Sequence, residues 1–151
     1  MSKDEEFLEI ALNEATAASM RGEVPVGAVL VSGDGSVLAQ NGNRILEMRD
    51  PSAHAEILVL RAAASAASSE RLLGTTLFVS LEPCTMCVGA ISLARIARLV
   101  YSAEDPKGGA VDHGVQFFRQ PTCHHRPQVA RVNDDGRSSS LLRDFFQARR
   151  V

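Results

Sequence analysis

Apolar positions near the N-terminus fall at helical spacing, with Phe7, Ile10, Ala11 and Ala15 on one side up to about Arg21. Ser2 and Glu5 precede them at the spacing of a capping box, so the pattern predicts a first helix. The period then changes. Ala28 to Val31 and Val37 to Gln40 are short apolar runs on either side of Ser32-Gly33-Asp34-Gly35, whose glycines permit a tight reversal, and they predict a hairpin. Asn41-Gly42-Asn43-Arg44 leaves it as a polar loop. A second helix is expected to start near Asp50-Pro51-Ser52 and to run through Ile57, Leu58 and the alanines, with His54 and Glu56 in its first turn.

Leu77 to Leu81 reads as a buried strand, and Pro83 directly after it suits the opening of a helix, where its missing N–H costs nothing. That helix would carry Cys84, Cys87 and Ile91. Leu99 to Ser102 is a further short strand, followed by a Pro- and Gly-rich loop through Gly109 and a helical stretch around Val115 to Arg119. Gln128 to Val132 is expected to be the last strand. Ser138 to Arg150 then places Leu141, Leu142, Phe145 and Phe146 at helical spacing. This alternation predicts an α/β domain: a mixed sheet of about five strands covered by helices on both faces. Strand order is not contained in the pattern.

The chain's 151 residues suit one domain with its own core, so a single unit over 1–151 is expected. Hydrophobic residues make up 45% and charged residues 23%, which excludes a disordered or low-complexity chain. The longest stretch without a charge, Pro83 to Ala94, is 12 residues, short of the roughly 18 a spanning helix needs. No membrane association is expected. The first residues, Met1-Ser2-Lys3-Asp4-Glu5-Glu6, are acidic where a secretory signal would be basic, so the expected location is the cytoplasm. The net charge of −2 gives no argument for a polyanionic partner. From Arg119 onward, however, seven arginines stand against three acids. On charge alone that tail is a solvated terminal helix.

Three cysteines, two of them in Cys84-Thr85-Met86-Cys87, are too few and too close for a disulfide framework and point to metal or redox chemistry. Cys84 and Cys87 at a helix start share one face, where the helix dipole favours thiolates, and two thiolates can grip one zinc ion. No second paired motif exists to close a structural four-ligand site. His54 is the best third ligand, because it opens another helix whose N-terminus can converge on the same sheet edge. One coordination position then stays open. Glu56, two residues on, can remain outside the coordination shell, take a proton from a zinc-activated water and return it to substrate. Zinc lowers the pKa of bound water to about 7, so hydroxide becomes available at neutral pH. Taken alone, the Cys-x-x-Cys could be a thioredoxin-like redox pair, but that reading leaves His54 and Glu56 unexplained. Together, His54-Ala55-Glu56 and Pro83-Cys84-Thr85-Met86-Cys87 form the full H-x-E to P-C-x-x-C signature of zinc deaminases. Cys123-His124-His125 has metal-ligand composition, but adjacent side chains do not readily face one ion, so no second zinc site is expected. His113 is expected to be a solvated loop residue.

The chain resembles the bacterial TadA-type family of tRNA-specific adenosine deaminases along nearly its whole length. The blocks that carry the resemblance are Glu23 to Val31, Gly42-Asn43-Arg44, Asp50 to Ile57, Leu81 to Cys87, and Phe145 to Arg150. The zinc motif belongs to the whole cytidine deaminase-like superfamily, while the Val-Pro-Val-Gly-Ala block and the Phe-Phe-x-x-Arg-Arg tail are similar to the tRNA branch. The resemblance implies a homodimer of three-layer α-β-α subunits with one zinc ion per subunit. It would hydrolyse the wobble adenosine of an arginine tRNA anticodon stem-loop to inosine. His54, Cys84 and Cys87 would hold zinc and Glu56 would shuttle protons. Asn43 and the backbone of Ala55 would bind the base, and Val24 and Pro25 would form an apolar wall. Asp105 would lie near the RNA strand, with Lys107, Arg149 and Arg150 reaching phosphates. Where relatives carry Pro-x-x-Asn-His, this chain has His124 in the asparagine's place. An anticodon loop makes extrusion of the base cheap.

Two rivals stay open on sequence. A free guanine or cytosine deaminase would use the same fold and the same zinc, with a pocket closed over a small ligand. A non-catalytic, zinc-stabilised RNA-binding module would have no need of Glu56 beside an open coordination position.

Overall fold

The computed structural model describes residues 1–149, so Arg150, expected among the phosphate contacts, lies outside the described residues. Helix α1 (Lys3–Met20) opens with the capping box foreseen: Ser2 Oγ accepts the Glu5 N–H and the Glu5 carboxylate accepts the Ser2 N–H. Strands β1 (Gly27–Val31) and β2 (Val37–Gly42) form the hairpin. There follow the single turn α2 (Ile45–Met48), α3 (Ala55–Ala67), β3 (Thr76–Leu81), α4 (Thr85–Leu93), β4 (Arg98–Ala103), β5 (Gln128–Arg131) and α5 (Arg137–Arg149). The sheet order is β2-β1-β3-β4-β5. β1 runs antiparallel to both its neighbours, while β3, β4 and β5 are parallel, as crossovers through α4 and the long loop after β4 allow.

The central strands alternate between two buried layers. Leu30, Leu77, Val79, Leu99 and Tyr101 face Val59 of α3 and Val88 and Ile91 of α4, whereas Val29, Val31, Phe78 and Val100 face Leu8, Ala11 and Leu12 of α1. Burial on both faces explains why these strands read as continuous apolar runs. Close approach of α1 requires Gly27, since a Cβ there would sit 2.6 Å from the Ala15 nitrogen and overlap the Ala11 carbonyl oxygen.

The structure moves two helix starts. The Asp50-Pro51-Ser52 segment is a turn, closed by the Ser52 N–H and hydroxyl donating to the Asp50 carboxylate, and α3 begins only at Ala55 with His54 as its N-cap residue. Pro83 likewise lies outside α4, whose N-cap is Cys84. Neither His54 nor Cys84 uses its side chain to cap its own helix. The helical stretch expected around Val115 to Arg119 contracts to one 3-10 turn at Phe117–Arg119. The turn α2 was not foreseen: its first N–H groups, on Leu46 and Glu47, are satisfied by the buried carboxylate of Glu23, a cap supplied from far along the chain.

Candidate active site

The N-termini of α3 and α4 meet at the same end of the sheet, and their N-cap side chains, unused for capping, turn toward each other. His54 Nδ1 lies 3.6 Å from Cys84 Sγ and 3.6 Å from Cys87 Sγ. One ligand atom from each of the three lies within 4.8 Å of the others. Among the described residues this is the one such cluster of His, Cys, Asp or Glu. Cys87 is fully buried in the first turn of α4, while Cys84 is half-buried at its mouth.

The electrostatics of the cluster suit a cation. The adjacent Cys87 thiol, with help from His54, pulls the Cys84 thiol down to about 4. The same pairing, together with burial, pushes the Cys87 thiol up. One thiolate is thus favoured without a metal, and a divalent ion would favour both. The hydrogen bond to Cys84 raises His54 above its ordinary value, and burial raises Glu56. Glu56 is buried, and its Oε1 has no hydrogen-bond partner among the described residues. An orphaned buried carboxylate oxygen is costly unless a ligand or solvent group completes it. A His/Cys/Cys donor set with an acid beside its open side fits zinc.

A cavity of about 230 Å³ opens over this cluster, lined by His54, Glu56 and Cys84 on its floor, Asn43, Val24, Val26, Ile45 and Leu81 on its walls, and Asp105 and Gly108 at its rim. Asn43 is buried, and its Oδ1 accepts the Ala55 N–H at 2.8 Å, so the asparagine supplies the cap that His54 does not. The Ala55 N–H, expected to meet the base, is therefore engaged with Asn43. Pro25 is buried but does not line the cavity; Val26 takes its place beside Val24. Arg21 donates to the Asn43 carbonyl oxygen and steadies the same loop.

Asp105 joins this cavity to a second, of about 320 Å³, between the loop after β4 and α5, where Leu142, Arg143 and Phe146 stand. Lys107 is exposed and lines a neighbouring cleft with Arg143 and Phe146. Arg149 is turned back: its guanidinium lies 3.5 Å over the Phe145 ring and donates to the Phe145 carbonyl oxygen. Phe145 is buried and docks α5, and Phe146 is exposed. His124 is exposed and lies outside the cavity lining. Its neighbours diverge: the Cys123 thiol is buried near the Ser92 hydroxyl, and His125 Nε2 bonds the Ile96 carbonyl oxygen.

Sequence reasoning missed Glu82 and misread His113. His113 Nδ1 is 2.8 Å from the Glu82 carboxylate, which is buried and also accepts the backbone N–H groups of Asp105, Val111, Asp112 and His113. Burial opposes ionisation of Glu82, but these donors outweigh it and hold the carboxyl below its usual range. The one legible signal was an acid placed beside Pro83-Cys84; its partners come from a loop far along the chain.

Residues 1–103 match the model of the cytidine and deoxycytidylate deaminase zinc-binding region. The chain is 55% identical over its full length to the tRNA-specific adenosine deaminase of Agrobacterium fabrum, covering 99% of that protein. It is 43% identical to the Haemophilus influenzae protein of the same name over 97% of this chain and 85% of that one. A structure from work on A-to-I editing by tRNA:A34 deaminases at the wobble position of transfer RNA superposes with a TM-score of 0.88. It is 56% identical, with 91% of this chain and 99% of that one covered. A zinc-type ligand cluster, a buried acid beside it and this likeness along the whole chain have one explanation: the protein is a zinc-binding deaminase belonging to the family of tRNA-specific adenosine deaminases.

Proposed function

We propose that this chain hydrolyses the wobble adenosine in the anticodon loop of an arginine tRNA to inosine and ammonia. One observation carries the chemistry: the orphaned, buried Oε1 of Glu56 in the cavity beside His54, Cys84 and Cys87. Zinc held by those three residues, one ion per subunit, supplies Lewis acidity that makes water nucleophilic near neutral pH. Glu56 takes a proton on Oε1 and returns it to the purine, a role that its burial and raised pKa support. Asn43, its Oδ1 committed to Ala55, turns its amide nitrogen to the base as a donor. Val24, Ile45 and Leu81 press on the purine faces and exclude water.

The choice of RNA over a free base is supported by the tRNA-specific relatives and by the continuation of the cavity into the groove beside α5. Asp105, Lys107 and Arg143 stand along that groove, where flanking nucleotides would pass. Arg149 serves chiefly to hold Phe145, with its charge near the strand's path. A tRNA substrate supports a cytoplasmic location. No described helix is long and apolar enough to cross a membrane.

A homodimer is supported by the outer face of α3 and α4, where a cavity of about 490 Å³ is lined by Ile57, Leu60, Leu72 and Leu93, and where Leu93 is exposed. Sedimentation of the parent and of Leu93→Asp should give a dimer and a monomer.

The deciding experiment offers an anticodon stem-loop with a wobble adenosine to the zinc-loaded protein and to Glu56→Ala, and reads inosine and ammonia. The parent should turn over, and kcat of the variant should fall by about 10²- to 10⁴-fold with zinc retained. Silence on the stem-loop with turnover of free guanine or cytosine would overturn the tRNA reading and keep the zinc chemistry.

A further inference from the structure

We infer that Glu82 is a positioning residue that sets the height of the Asp105–Gly108 wall over the substrate cavity. Its side chain is completely buried two residues before Cys84, yet it lines that cavity and takes five hydrogen bonds. Oε2 collects the N–H groups of Val111, Asp112 and His113 at 3.0 to 3.2 Å. Oε1 takes the Asp105 N–H at 3.1 Å and meets His113 Nδ1 at 2.8 Å. Both ends of the 105–113 loop are thus tied to one carboxylate.

The loop is pinned to the zinc-ligand segment as well. The Ala110 N–H donates to the Pro83 carbonyl oxygen at 2.9 Å, and Gly109 pairs as a β-bridge with Cys84. Gly109 is what lets the loop close down. A Cβ at that position would lie 2.5 Å from Glu82 Oε2 and 2.6 Å from the Asp105 carbonyl oxygen. Within the loop, the Asp105 carboxylate accepts the Lys107 and Gly108 N–H groups, so the wall moves as a unit from the Asp105 backbone. That backbone is held by Glu82 Oε1.

The two oxygens of Glu82 are therefore not equivalent. In Glu82→Gln the amide oxygen can keep the three donors at 111–113, but the NH2 group then faces the Asp105 N–H, and two donors repel. The wall should lift while the remainder of the loop stays bound. Because the wall lines the cavity and supplies none of the three ligands, the loss should fall on substrate binding, not on turnover.

The test compares the zinc-loaded parent with Glu82→Gln and with Glu82→Asp, which keeps the charge but draws the carboxylate back from the loop donors. Amide hydrogen exchange at Asp105, Lys107 and Gly108 should quicken by at least about tenfold, with Val100 in the core unchanged. On the anticodon stem-loop, KM should rise by about tenfold with kcat within about threefold of the parent. Parental exchange together with parental KM overturns the inference, and so does a fall in kcat at parental KM, which would put Glu82 in the chemistry. If Glu82→Gln does not fold, Glu82→Asp decides by the same two readings. The KM reading rests on the deaminase function proposed above; the exchange reading does not. A parent silent on the stem-loop would sink that function and leave the wall's anchor still to be decided by exchange.

Discussion

Asn43 caps the helix that His54 begins: its Oδ1 accepts the Ala55 N–H at 2.8 Å, although His54 occupies the N-cap position. An N-cap side chain normally turns inward to the first N–H groups, so a histidine relieved of that duty is free to face the two cysteines. The cap residue and the candidate base-binding residue are one and the same.

Replacing Asn43 separates its two roles. Asn43→Ala should cost about 1 kcal/mol of stability, the usual value of an N-cap, and at least about tenfold in kcat/KM. Asn43→Asp keeps the acceptor and should retain most of the stability, yet lose activity as fully, because a carboxylate has no donor for the base. Thermal unfolding beside stem-loop kinetics reads both, and an active Asn43→Asp would remove Asn43 from base recognition.

Removal of zinc should leave the three cysteines unequal. Cys84 is half-buried with its thiol held near 4, while Cys87 is buried with its thiol pushed up, and Cys123 is buried against Ser92 of α4. Iodoacetamide at pH 7 should alkylate Cys84 first in chelator-treated protein, and zinc should protect it. Activity should vanish with the chelator and return with zinc. Equal labelling of Cys84 and Cys87 would contradict the arrangement.

Acid should loosen the N-terminal helix through Asp4. Arg98, opening β4, donates Nη1 to Asp4 at 2.8 Å and Nη2 to its other oxygen, and this bond holds the carboxyl below its ordinary 3.8. A lowered folded-state pKa means that the stabilisation is present above the unfolded value and is lost as pH falls through the folded one. Asp4→Asn should therefore be less stable than the parent at pH 7, and the gap should close below about pH 4. Urea titrations at several pH values measure it; a gap independent of pH would show that the ion pair contributes nothing.

Gly27→Ala should damage the fold, because its methyl group must displace the α1 backbone at Ala11 and Ala15. Overpacking of this kind costs roughly 1–3 kcal/mol or more. A midpoint shift in chemical denaturation tests it, and a variant as stable as the parent would mean that α1 shifts freely on the sheet.

Residue spacing alone carried the capping box at Ser2 and Glu5, the hairpin, and strands β3 and β4, whose apolar runs declare burial, because these are local consequences of side-chain spacing. Residue chemistry in two short motifs carried His54, Glu56, Cys84 and Cys87, since soft ligands at helix starts with an acid two residues on have few other uses. Strand order, the cap that Asn43 supplies to α3, the Glu23 support of α2 and the five donors around Glu82 belonged to the tertiary structure. Each joins residues distant in sequence. A buried carboxylate's partners are decided by which loop folds over it, and neither spacing nor composition along the chain records that choice. Hence His113 read as solvated when its ring nitrogen in fact meets Glu82, and the wall over the cavity depended on an acid whose own neighbours in sequence gave it nothing to do.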